Sequence, residues 1–157
     1  MQELLNQKIL DIEISEQEVC LRFTTDAGTY LYATDADCCS ETWYSEIINI
    51  DNLINKNVTS VERLELPDIL QNDGHCRQES DRFYGILLQT TAGSVTIVFR
   101  NSSNGYYGGS YNFVQENDQY NPWKNMKFQS IKHLSDWTAY EITNKSYIHA
   151  LKLKAFL

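Results

Sequence analysis

The stretch CSETWYSEIIN, residues 39–49, decides the fold class. Trp43 and Ile47 stand four apart, and so do Tyr44 and Ile48, which is the spacing of one helical face. Ser40 or Asp37 can cap such a helix, and Glu41 falls in its first turn, where the dipole favours an acid. The pattern predicts one short helix over residues 40–49, starting near Ser40.

On both sides of this stretch the chain reads as strands. In EVCLRFTTDAGTYLYAT, Val19, Leu21 and Phe23 alternate with Cys20, Arg22 and Thr24, as in a half-buried strand. Gly28 then marks a turn, and TYLYA returns as the partner strand. VTSVERLELPD is a strand that Pro67 ends. RFYGILLQTTAGSVTIVFRN carries the strongest β signal: two strands about a Thr-Thr-Ala-Gly turn, the second nearly continuous in apolar residues and therefore central. Further on, MKFQSIKHL, WTAYEITN and SYIHALKLKAF read as two or three more strands, the last with a helical alternative. The expected class is α+β and β-rich: one mostly antiparallel sheet of six to eight strands, with the single helix packed on or beside it. A length of 157 residues suits one domain.

The bulk composition excludes several functions. A net charge of −8 repels phosphate backbones, so general nucleic-acid binding is not expected. No apolar run approaches a bilayer span, and the N-terminal residues lack the pattern of a signal peptide. A soluble, cytoplasmic protein is expected, with its four cysteines reduced. No cofactor or metal is expected.

Two polar segments are candidate sites. The first is DADCCSETW, residues 35–43. Cys38 and Cys39 with His75 and Cys76 could supply a Cys3His zinc set, but adjacent residues point apart, which makes poor knuckles. A vicinal disulfide needs a strained ring and an oxidising setting. A thiolate nucleophile at Cys38 or Cys39 would need a helix dipole and a histidine, and His75, His133 and His149 all lack a recognisable setting. The reading preferred on these grounds is a turn in which one cysteine packs inward and its neighbour lines the turn.

The second segment is RNSSNGYYGGSYNF, residues 100–113. It has neither the lysine of a P-loop nor the spacing of a dinucleotide turn. Asn104-Gly105 is a hairpin turn dipeptide. Tyr106 and Tyr107 supply rigid contact area of the kind found in binding loops, and Arg100 stands at the base as a cation able to hold an anion or pair with Asp35 or Asp37.

The two segments are linked by an internal similarity. FTTDAGTYLYATDADCC and LQTTAGSVTIVFRNSSNG each run strand, Thr-Ala-Gly turn, strand, polar loop. Hairpins laid in one sheet in the same sense would bring both loops out at one end.

The segments DCCSETW, VTSVERLELPD and RNSSNGYYGG together resemble a family of uncharacterised bacterial and phage domains with an Asp-Cys-Cys-Ser-Glu segment and an Asn-Ser-Ser-Asn-Gly-Tyr-Tyr-Gly-Gly loop. The resemblance implies a family-like core over residues 1–112, with residues 113–157 as an extension packed on it, and a bacterial or phage setting. It also implies that Asp37, Cys38, Cys39, Ser40 and Glu41 act as a unit with residues 101–109.

The expected function is therefore non-catalytic binding of an unknown small ligand or protein. The expected site residues are Asp37, Cys38, Cys39, Ser40, Glu41, Arg100, Asn101, Asn104, Tyr106 and Tyr107. Two alternatives stand beside it: a phage-type counter-defence protein that sequesters a small nucleotide signal, with Arg77, Arg82 and Arg100 as phosphate partners, and a cysteine-dependent enzyme. Homo-oligomerisation is left open.

Overall fold

The computed structural model describes residues 1–66, 76–115 and 121–139. These residues form ten strands: β1 (Lys8–Ser15), β2 (Cys20–Thr25), β3 (Thr29–Ala36), β4 (Glu41–Ile48), β5 (Lys56–Glu65), β6 (Ser80–Thr90), β7 (Gly93–Ser103), β8 (Gly109–Val114), β9 (Phe128–Ser130) and β10 (Asp136–Thr138). Their only helical elements are two single 3-10 turns, Gln2–Leu4 and Ile50–Asn52. The fold of the described residues is nearly all β, not α+β. His75, His149 and the SYIHALKLKAF segment lie outside the described residues.

The expected helix is strand β4; residues four apart share a face in a regular strand as well as in a helix, so the spacing fits both. β4 pairs antiparallel with β7, Tyr44 opposite Phe99 and Glu46 opposite Val98, so Ser45 is an extra residue, a β-bulge. The bulge resets the period of two. Tyr44 and Ile47, three apart, both face the main core, and Ile48 packs on the other face with Phe83 and Val98. Both faces of β4 are buried, so no polar face betrays the strand. What remains is composition: aromatic and β-branched residues favour extended chain over helix.

The strands form one antiparallel sheet in the order β10-β4-β7-β6-β5-β1-β2-β3-β8, with β9 also paired to β1. β5 meets β1 over only two residue pairs, Lys8 with Asn57 and Ile9 with Lys56. The sheet curls about this short joint. Ile12, Leu21, Phe23 and Tyr32 from one half share a core with Tyr44, Ile86, Ile97 and Phe99 from the other, which a flat sheet would not allow. The Tyr44 hydroxyl donates to the Tyr32 carbonyl at 2.9 Å, and Phe99 meets Tyr111 edge-on at 5.7 Å. Each large apolar side chain sealed between the halves contributes about 1.5–3 kcal/mol.

The two similar sequence segments are built alike. At Thr25 the hydroxyl accepts from the Ala27 N–H at 3.0 Å and donates to the Gly28 carbonyl at 3.0 Å. At Thr90 it accepts from the Ala92 N–H at 3.1 Å and lies 3.1 Å from the Gly93 carbonyl, with a closer acceptor in the Asn52 carbonyl at 2.6 Å. Gly28 and Gly93 have φ of +147° and +140°, which side chains rarely adopt. After each hairpin the chain crosses over. β4, which follows β3, pairs with β7, and β8, which follows β7, pairs with β3. Each unit lends its last strand to the other, so the loops after β3 and β7 emerge together.

Candidate functional site

The ends of β3, β4, β7 and β8 converge. Ala36 pairs with Gly109 and Glu41 with Ser102, and the Asp37 N–H reaches the Gly108 carbonyl at 3.5 Å. Asn101 fastens the junction. Its amide donates to the Ser40 hydroxyl at 3.1 Å and to the Thr42 hydroxyl at 3.0 Å. The Gly-Gly pair has a packing cause here. A Cβ on Gly109 would lie 2.4 Å from Thr42 Oγ1 and 3.0 Å from Asn101 Cβ, and one on Gly108 would lie 3.0 Å from the Tyr84 hydroxyl. The Gly109 N–H donates to that same hydroxyl at 3.3 Å. The glycines let β8 cross β4 and β7 at close range.

The 104–108 turn has its own internal bonds. Asn104 Oδ1 accepts from the Tyr106 N–H at 3.1 Å, and Ser103 Oγ accepts from the Gly105 N–H at 2.9 Å and donates to the Tyr107 carbonyl at 3.2 Å. Arg82 donates to the Gly105 carbonyl at 2.9 Å. Asn104 is thus committed to shaping the turn. Tyr106 is 81% exposed, the most exposed large apolar side chain among the described residues, and Tyr107 braces it edge-on at 5.3 Å.

The facing turn is built mainly from backbone. The Asp37 carbonyl accepts from the Ser40 hydroxyl at 2.7 Å and from the Ser40 N–H at 3.1 Å. Ser40 therefore closes a turn and caps no helix. Cys39 has φ of +64°, in the left-handed region. Cys38 and Cys39 are both exposed, their sulfurs 3.2 Å apart. Asp35 accepts from the Asn112 amide at 3.2 Å, and the Glu41 carboxylate lies 3.7 Å from Arg77.

Arg100 lies elsewhere. With Val95, Ile97 and Phe99 turned to the main core, the period of two sends Arg100 to the opposite face. There it is 1% exposed, 3.0 Å from the Glu46 carboxylate, 3.6 Å from that of Asp81 and 4.4 Å above the Phe83 ring. The Ser45 hydroxyl donates to Glu46. Arg100 meets these acids rather than Asp35 or Asp37. The cations placed at the loops are Arg82 and Arg77, and Arg77 also lies 3.7 Å from Glu18 and 4.0 Å above the Trp43 ring. Arg77 offsets part of the burial that pushes the Glu18 carboxyl upward. Glu46 and Asp81 are acids that the sequence motifs do not single out. An acid inside WYSEII, a run of large apolar residues, was the available signal.

The thiols of Cys20, Cys38 and Cys76 are all shifted away from thiolate. Burial pushes Cys20 up to about 12. Burial and the thiol hydrogen bond to Asp81, at 3.0 Å, raise Cys76. The Cys39 thiol beside it raises Cys38. Among the described residues no three His, Cys, Asp or Glu side chains form a group that could hold a metal. No helix among them is long and apolar enough to cross a membrane. A cavity of about 210 Å³ opens apart from the two turns, lined by residues that include Val61, Arg63, Phe99, Ser110 and Tyr111.

Residues 2–113 match the family described as Domain of unknown function (DUF7448). No curated protein and no solved structure matches the chain.

Proposed function

The chain belongs to this family of domains of unknown function, and from that premise we propose that it is a non-catalytic binding module whose contact surface is the shared end of β3, β4, β7 and β8. The observation that carries this reading is Tyr106: a large ring, 81% exposed, on a turn locked by hydrogen bonds to Asn104, Ser103 and Arg82. Ordering a side chain on binding costs free energy, and a braced aromatic on a fixed turn has little left to lose. Exposed carboxylates at Asp35, Asp37 and Glu41 share this end with the ring. An aromatic face among acids suits arginine or lysine, through cation–π contact and charge pairing, so the partner class is a protein segment carrying them.

The nucleotide alternative is less well supported. Phosphate would meet those three carboxylates, Arg82 already donates to Gly105, and Arg77 lies beside Glu18 and Glu41. The raised Cys20, Cys38 and Cys76 pKa values count against these three as nucleophiles, which work as thiolate. The four free thiols suit a reducing, cytoplasmic setting.

Selection from a random peptide library tests the reading. The chain is expected to enrich arginine- and lysine-bearing peptides whose affinity falls at least about tenfold in a Tyr106→Ala/Tyr107→Ala variant. Enriched peptides that bind the variant equally well, or that are acidic, would contradict it.

A further inference from the structure

The cysteine pair has a geometry that the partner-binding reading does not use. Cys38 and Cys39 are free, exposed and adjacent, with their sulfurs 3.2 Å apart and both turned to one side of the 37–40 turn. Neighbouring side chains in extended backbone would point apart. The left-handed φ of +64° at Cys39 swings its side chain back toward Cys38. Ser40, bonded to the Asp37 carbonyl and to Asn101, anchors the turn against the sheet.

The separation selects among the things two sulfurs can do. A disulfide needs about 2.05 Å, so closing one would draw the sulfurs together by more than about 1 Å within an anchored turn. Zinc needs four ligands, and no third His, Cys, Asp or Glu joins this pair in a metal-holding group among the described residues. An atom about 2.3 Å from each sulfur, the usual thiolate bond length, would see sulfurs 3.2 Å apart at roughly 90°, against roughly 109° at tetrahedral zinc. An angle near 90° belongs to a pyramidal, three-coordinate main-group centre with a lone pair.

We propose that Cys38 and Cys39 form a two-sulfur site for a trivalent arsenical, an arsenoxide bearing one organic group. The step is a condensation. Both S–H bonds and the arsenic–oxygen double bond break, two arsenic–sulfur bonds form, and the oxygen leaves with the two thiol protons as water. Arsenic stays trivalent, so no oxidant or reductant takes part. The other two thiols lack this arrangement. Cys20 is buried, and Cys76 stands alone with its sulfur 2.8 Å from the Gln78 carbonyl and 3.0 Å from the Asp81 carboxylate. The inference does not depend on the identity of any protein partner.

The test adds one equivalent of phenylarsine oxide to the intact chain and follows intact mass and free-thiol count under competition. The expected product carries one arsenical per chain, loses two titratable thiols, survives an excess of glutathione and is released by 1,2-ethanedithiol, because the second bond forms at high effective concentration. Cys38→Ser and Cys39→Ser, both at exposed positions, should keep the wild-type melting temperature and lose about 100-fold or more in resistance to glutathione, while Cys76→Ser behaves as wild type. An adduct that glutathione strips from wild type as fast as from the serine variants would overturn the proposal. So would an adduct that depends on Cys76.

Discussion

Arg100 and Tyr106 are six residues apart in the chain and opposite in every physical respect. Arg100 is sealed at 1% exposure between Glu46 and Asp81, and Tyr106 stands 81% exposed on a fixed turn. The charge sits inside and the aromatic ring outside, the reverse of the usual preference. The difference separates two kinds of importance. Removing Arg100 should damage the fold, because it would leave carboxylates buried without their cation. Removing Tyr106 should cost the fold almost nothing, because the ring touches little except Tyr107.

Five substitutions sharpen that contrast. The largest effect is expected for Arg100→Met, which should lower the unfolding free energy by about 3–5 kcal/mol in urea denaturation. A loss under about 1 kcal/mol would mean that the cluster is relaxed enough to admit water. Next, Gly109→Ala should cost about 1–3 kcal/mol, because its Cβ would press on Thr42 and Asn101 at the seam between β8 and β4. Wild-type stability in that variant would show that the seam can open.

Cys20 gives a pH-dependent version of the same contrast. Its folded-state pKa is raised by burial to about 12 from 9.0, so the neutral thiol's contribution is complete below pH 9 and is lost as pH rises towards 12. The stability of wild type should fall above pH 9, with a slope of at most about 1.4 kcal/mol per pH unit from this one group. In Cys20→Ala that part of the slope should vanish, while Cys38→Ala, at an exposed position, should leave it in place. Equal slopes in all three chains would show that other groups set the alkaline limit. The smallest effect is expected for Tyr106→Ala, within about 0.5 kcal/mol of wild type.

The sequence is legible where one strand face is polar or a turn has a mechanism. The β6–β7 hairpin announces itself through Thr90, Gly93 and the apolar run that follows, and its likeness to the β2–β3 hairpin brings the two polar loops to one end. Residues 40–49 are not legible in this way. A spacing of four belongs to a regular strand as much as to a helix, and the bulge at Ser45 with burial of both faces removes the polar alternation that would tell them apart. The place of Arg100 is obscured for a simpler reason. Nearness in sequence to the tyrosines suggested a shared site, although alternation from Phe99 already turns Arg100 to the other face and brings Asn101 to the Phe99 side. The close approach at Gly109 depends on strands far apart in sequence and leaves no local pattern beyond the glycine itself.

The most direct test of the account measures two quantities on one variant, Tyr106→Ala/Tyr107→Ala: its unfolding free energy and its affinity for peptides selected on wild type. Stability within about 1 kcal/mol of wild type and affinity reduced at least about tenfold are expected. Unchanged affinity in a stable variant would contradict it, and would move the search for a contact surface to another part of the sheet.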